Sequence, residues 1–290
     1  MKRRIFKSTP VTLIGLLIIN LFCTLLTGNA AKALPEILSI TKSLNIKTKL
    51  AQRNKQGRFK VVYSPIKNDD HKELKYIAEK SNAFTTLAGG LNEFLVLPVD
   101  ITVSVQECGD ANAYYAPDSH KIVMCYELIN SFVKDLSAIE KDQEQLYTDA
   151  VFAAMFVFFH ETGHALIDVL ELPSTGKEED AVDQLATLIL TLAGNEGEEI
   201  ALAAAKQFAL AADKQTNIEG LAFWDEHSLD PQRFYNIVCL LYGSNPDKYT
   251  SLVKAVELPE DRAGRCPAEY TKVANSWMTL LAPYVREENK

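Results

Sequence analysis

The sequence predicts an α+β fold, in which a small N-terminal sheet with an edge strand precedes a mainly helical C-terminal half. Three observations carry this reading. Strand-like alternation occurs only early, in "FKVVYS" (59–64) and "ITVSVQE" (101–107). After Tyr126 the apolar spacing becomes helical and stays so to the C-terminus. The 290 residues are 47% apolar and 23% charged, a globular balance without repeats or low-complexity tracts, so strands then helices imply one α+β domain.

The elements follow in chain order. The first strand is 59–64. Helical spacing then runs over 71–95, with "AGG" at 88–90 as the expected break. The second strand is 101–107. "CGDANAYYAPDSHKIVMC" (108–125) alternates on either side of Pro117-Asp118, which predicts two short strands joined by a turn. Residues 147–170 form one long, very apolar helix, broken by Pro173 and Gly176. Further helices are expected over 178–194 and 198–213, from Asp230 as N-cap with Pro231 at the first position, and over 266–284.

The N-terminus reads as an export signal over residues 1–33. Lys2, Arg3, Arg4 and Lys7 precede the apolar run "VTLIGLLIINLFCTLL", and Ala31 and Ala33 suit cleavage after Ala33 or slightly earlier. Phe22 before Cys23 argues against a lipid anchor; an uncleaved membrane anchor is the alternative, and the only expected membrane contact. Residues 34–58 read as a basic, polar linker and 59–290 as the folded domain. Removing residues 1–33 takes away five basic and no acidic residues, which moves the net charge from −8 to −13. That sign, with no basic stripe, excludes nucleic acid as a partner. The expected location is therefore periplasmic or secreted. Four cysteines remain, Cys108, Cys125, Cys239 and Cys266, and an even count in an exported chain predicts two disulfides. Three pairings are open; Cys108–Cys125 and Cys239–Cys266 each join one local region and are favoured.

The chemistry centres on "FFHETGHALIDVL" (158–170). His160 and His164 are four residues apart and share a helix face, so they can ligate one zinc ion. Glu161 is placed to deprotonate a water rather than to bind the metal. Thr162 and Gly163 are small and neutral, which lets this helix lie deep in the protein. "GKEEDAVDQLATLIL" brings Glu178, Glu179, Asp180 and Asp183 to the start of the next helix. Acids favour a helix N-terminus, which accounts for Glu178 and in part Asp180. Asp183 lies on the helix body beside an apolar stripe, and shares a face with Glu179. Glu179 is the expected third ligand, and Asp183 the acceptor for the other nitrogen of a zinc histidine. In "FWDEHSLDPQRFYN" (223–236), His227 is flanked by Asp225, Glu226 and Asp230, which favours its protonated, donating form.

His160-Glu161-x-x-His164 followed by Glu179-x-x-x-Asp183 resembles the gluzincin pattern of thermolysin-like zinc peptidases, at somewhat shorter spacing. The wider set "ECGDANAYY", "CYELI", "EEDAVDQ", "WDEHSLDPQRFYN" and "RAGRC" resembles a bacterial family of metallopeptidases catalogued as a domain of unknown function, from Phe59 to the C-terminus. The resemblance implies a zincin-like fold with one Zn2+ and a peptide or protein substrate. It implies an oxyanion donor among His227, Arg233 and Tyr235, and an edge strand in "NAYY" where Asn112 and Ala113 contact the substrate. The expected reaction is peptide hydrolysis with Glu161 as general base. The alternatives are a zinc amidase acting on cell-wall or other amides, and a zinc-stabilised binding protein without turnover.

Overall fold

A computed structural model describes residues 56–214 and 221–286. The expected export segment (1–33) and nearly all of the linker lie outside the described residues.

The fold is mixed α and β. Four strands form one sheet: β1 (Phe59–Tyr63), β2 (Ile101–Gln106), β3 (Ala113–Ala116) and β4 (Lys121–Cys125). Their order is β1-β2-β4-β3. The first three of these run parallel, and β3 lies antiparallel to β4 at the edge. Ile101, Val103, Val105, Ile122 and Met124 are fully buried, as expected of strands covered by helices. At the opposite edge the side chain of Asn92 imitates a strand. Its Oδ1 accepts from Phe59 N at 2.7 Å and its Nδ2 donates to Phe59 O at 2.9 Å.

The chain between β1 and β2 forms two helices, α1 (Lys72–Ser81) and α2 (Ala83–Phe94). The break falls at Asn82, in the left-handed region at φ 52°, and not at "AGG". Asparagine tolerates that conformation. Leu87, Ala88, Gly90 and Leu91 are buried in α2, so packing carries the helix through two glycines.

Glu107 anchors the loop before α1. It accepts from Lys67 N at 2.7 Å and Asn68 N at 2.8 Å, and His71 Nδ1 lies 3.0 Å away. The two backbone donors, then His71, hold its carboxyl below the ordinary 4.5. A depressed carboxyl contributes stability above its unfolded pKa and loses it as pH falls through the folded one. Acidification below about pH 4 is expected to free the Lys67 and Asn68 amides before global unfolding, read by hydrogen exchange.

The second half is helical: α3 (Tyr126–Leu136), α4 (Gln143–Val169), α5 (Glu178–Leu192), α6 (Asn195–Lys214), α7 (Asp230–Ser244), α8 (Pro246–Ala255), α9 (Glu260–Ala263) and α10 (Cys266–Leu281). Helix α4 starts at Asp142, whose carboxylate accepts from Gln145 N at 2.9 Å. It is long and apolar enough to cross a membrane, but 83% of its apolar window is buried by α3, α5, α6, β3 and β4. It is the central helix of this core. Helix α7 begins one residue earlier than expected, with Leu229 as N-cap. The sulfurs pair as Cys108–Cys125, closing the β3–β4 hairpin onto its approach, and Cys239–Cys266, tying α7 to α10. These are the two local pairings expected, and disulfides belong to oxidising compartments.

Candidate metal centre

His160 and His164 stand on one face of α4, toward the first two turns of α5. Gly163 permits the close approach of the two helices. A Cβ there would stand 2.6 Å from Val182 Cγ1 and 2.7 Å from Val182 Cβ. The contact sets Glu179 and Asp183 over the histidines. Glu179 Oε2 lies 3.1 Å from His160 Nε2 and 3.3 Å from His164 Nε2, and the two nitrogens are 3.3 Å apart.

A third imidazole arrives from residues 221–229. His227 Nε2 is 3.0 Å from the same Glu179 oxygen. The loop is held by Lys177 Nζ, which donates to the carbonyls of Asp225 (3.1 Å) and His227 (3.4 Å). Asp225 Oδ1 accepts from His227 N at 2.8 Å, and Ser228 Oγ donates to Asp180 Oδ1 at 2.6 Å.

Each imidazole has a carboxylate at its other nitrogen. Nδ1 of His160 lies 2.8 Å from Asp183, that of His164 2.7 Å from Glu178, and that of His227 3.1 Å from Asp225. A neutral imidazole that donates through Nδ1 carries its lone pair on Nε2. With all three rings neutral, three lone pairs and a carboxylate oxygen converge with no proton donor among them. Consistently, Glu179 Oε2 is buried and has no hydrogen bond of normal geometry. A cation resolves this convergence, and the N/O donor set is one that zinc takes.

The electrostatics show the same demand for positive charge, met here by protons. Burial opposes charge on His160, yet Asp183 and Glu179 push its pKa up to about 9. Burial alone would raise the Glu179 carboxyl, but His160, His164 and His227 hold it far below the ordinary range. Burial pushes the Glu161 carboxyl up, against the pull of His160 and His164.

The structure thus brings together His160, His164, Glu179, Asp183 and His227, with Glu161 beside them. Arg233 enters differently from a free oxyanion donor. Its Nε and Nη2 bind Asp183 at 2.7 and 2.8 Å, and its guanidinium lies 4.2 Å from the centre of the Phe208 ring. Tyr235, an expected oxyanion donor, is not brought in: its hydroxyl donates to the Val256 carbonyl at 3.2 Å. Residues two apart on a helix point about 200° away from each other, so with Arg233 turned inward Tyr235 faces the other way. Sequence reasoning missed Glu178 as a partner of His164, since a helix N-terminus already accounted for an acid there.

Two spaces meet at this centre. An open cleft of about 770 Å³ runs past β3, His164 and Glu226. A smaller space of about 200 Å³ is lined by Asn112, Leu128, Phe132, Phe156 and Phe208, with Gln207 and Arg233 among its polar residues. Ala113, His160, Glu161 and His227 border both.

A family model described as "Putative metallopeptidase" (DUF4344) matches residues 63–281, and the chain belongs to that family. No curated protein matches, and no solved structure matches.

Proposed function

We propose that the protein is an exported zinc metallopeptidase of the zincin type that hydrolyses peptide bonds with Glu161 as general base. One observation carries this reading. His160 Nε2, His164 Nε2 and Glu179 Oε2 form a triangle with edges of 3.3, 3.1 and 3.3 Å. Ligands about 2.0–2.1 Å from a tetrahedral zinc stand about 3.3 Å apart. The triangle therefore has the dimensions of one face of such a site.

Zinc held there supplies Lewis-acid polarisation of a water molecule and of an amide carbonyl. Glu161 takes the proton of the attacking water and returns it to the leaving nitrogen. His227 in its protonated form, which the carboxylates at both of its nitrogens favour, donates to the developing oxyanion. Arg233 acts through Asp183, which fixes the His160 tautomer.

A polypeptide substrate is favoured by the free edge of β3. Cys125 N donates to Asn112 O at 3.2 Å, so this pair is hydrogen-bonded. In an antiparallel ladder such pairs alternate. With Ala113 opposite Met124, the backbone groups of Ala113 therefore face away from β4, free to pair with an extended peptide. The smaller cavity suits one apolar side chain next to the scissile bond, since about 150 Å³ holds a benzene ring. Within this proposal residues 1–33 are the export signal, 34–58 a linker and 59–290 the catalytic domain.

The test is metal content together with cleavage. Protein purified with zinc should hold about one ion per chain and cut an unfolded protein substrate, and a chelator should abolish cleavage until zinc is restored. Cleavage that survives chelation overturns the proposal. The approach of His227 to Glu179 favours a second reading, a four-ligand closed site without turnover. His227→Ala separates the two: in a peptidase it lowers turnover and leaves zinc bound, whereas in a closed site it weakens zinc binding and there is no turnover to lose.

A further inference from the structure

We infer that Tyr115 is a positioning residue, which with Asp168 latches the edge strand β3 to helix α4 and sets Glu161 against the substrate strand; this rests on the peptidase reading of the site. Tyr115 reaches α4 through its side chain. Its backbone N–H faces away from β4 by the same alternation that frees Ala113, and Tyr115 lines the same cleft as Glu161. Its hydroxyl donates to Asp168 Oδ2 at 2.6 Å. His120, in the turn between β3 and β4, brings Nδ1 within 3.2 Å of that hydroxyl and 3.6 Å of Asp168 Oδ2.

Glu161 and Asp168 are seven residues apart, two turns along one face of the helix, a rise of about 10.5 Å. A bond that far along α4 from Glu161 fixes the tilt of β3 relative to that carboxylate. Without it β3 would be free to pivot, because as an edge strand it has a neighbour on one side only. Ala113 lies two residues from Tyr115 on the same outward register. A pivot would therefore shift the peptide-pairing groups relative to the carboxylate that activates water, and displacements of about 1 Å can cost about a hundredfold in rate.

The test uses Tyr115→Phe, Asp168→Ala and Asp168→Asn in the full zinc-loaded chain. The first two should lower kcat by about ten- to a hundredfold with little change in KM or zinc content. Asp168→Asn keeps an acceptor oxygen and should stay close to wild type. The double variant Tyr115→Phe/Asp168→Ala should be no worse than either single one, because both remove one bond. Hydrogen exchange gives a reading independent of turnover. The residue 114 and 116 amides, which pair with β4, should be protected in the wild type and should exchange faster in Asp168→Ala. Unchanged exchange at these two residues overturns the latch, as does unchanged kcat in both disrupting variants, even where melting temperature falls. If the wild type cleaves no peptide, the peptidase reading fails, and the exchange result still decides the latch.

Discussion

Glu161→Gln is expected to reduce peptide hydrolysis by a factor of about 10²–10⁴ while leaving the zinc content unchanged. Glutamine has the shape of glutamate, but it cannot take a proton from water. Glu161 is not a member of the ligand triangle, so the metal should stay. The residue is 6% exposed, deep beside His160 in the wall shared by cleft and cavity. A buried carboxylate is costly unless something needs its charge, and the proposed chemistry supplies that need. The measurement is steady-state cleavage with zinc quantified in the same sample. Unchanged cleavage with zinc bound would sink the mechanism, and loss of zinc would mean that Glu161 is a ligand after all.

What could be read in the sequence and what could not divide by distance along the chain. His160 and His164 share a face because of the helical period alone, and four acids opening the next helix are visible as a cluster. The two disulfides join cysteines 17 and 27 residues apart, within reach of local reasoning. The strand at 113–116 was legible from short alternation beside a turn, and its place at the sheet edge came from the family resemblance. Other features depend on contacts that spacing does not carry. The Arg233–Asp183 pair spans 50 residues and the Tyr115–Asp168 bond 53. Helix α8 opens with Asn245, whose side chain accepts from Lys248 N at 3.2 Å, followed by Pro246. Those are the same signals used at Asp230 and Pro231, and they passed unread. The helix break went to "AGG" because glycine weakens an isolated helix, whereas burial of that segment decides the matter in the folded chain.

Asp183→Ala is expected to be the most damaging substitution for stability and to weaken zinc binding at the same time. Asp183 is 7% exposed and meets two groups at once, His160 Nδ1 at 2.8 Å and two nitrogens of Arg233. Removing the carboxylate leaves a largely buried guanidinium, 14% exposed, without its hydrogen-bonded counter-charge, a change that costs up to about 3–5 kcal/mol. It also frees the His160 ring to rotate and change tautomer, which typically lowers metal affinity by about 10–100-fold. Asp183→Asn separates the two effects. It keeps an acceptor for His160 and loses the charge opposite Arg233, so zinc affinity should suffer less than stability. The pH dependence follows from the same pair. Burial alone would raise the Asp183 carboxyl, but Arg233 and then His160 outweigh it and hold the group well below its ordinary 3.8. A depressed carboxyl contributes fully above its unfolded pKa, and that contribution is lost as pH falls toward the folded one. Wild-type stability should therefore decline on acidification below about pH 4, and that part of the decline should be absent from Asp183→Ala. Denaturant unfolding across pH, with zinc titration of both variants, checks each part. An Asp183→Ala protein as stable as the wild type would mean that Arg233 finds another partner, and that Asp183 does not hold α5 and α7 together at the metal centre.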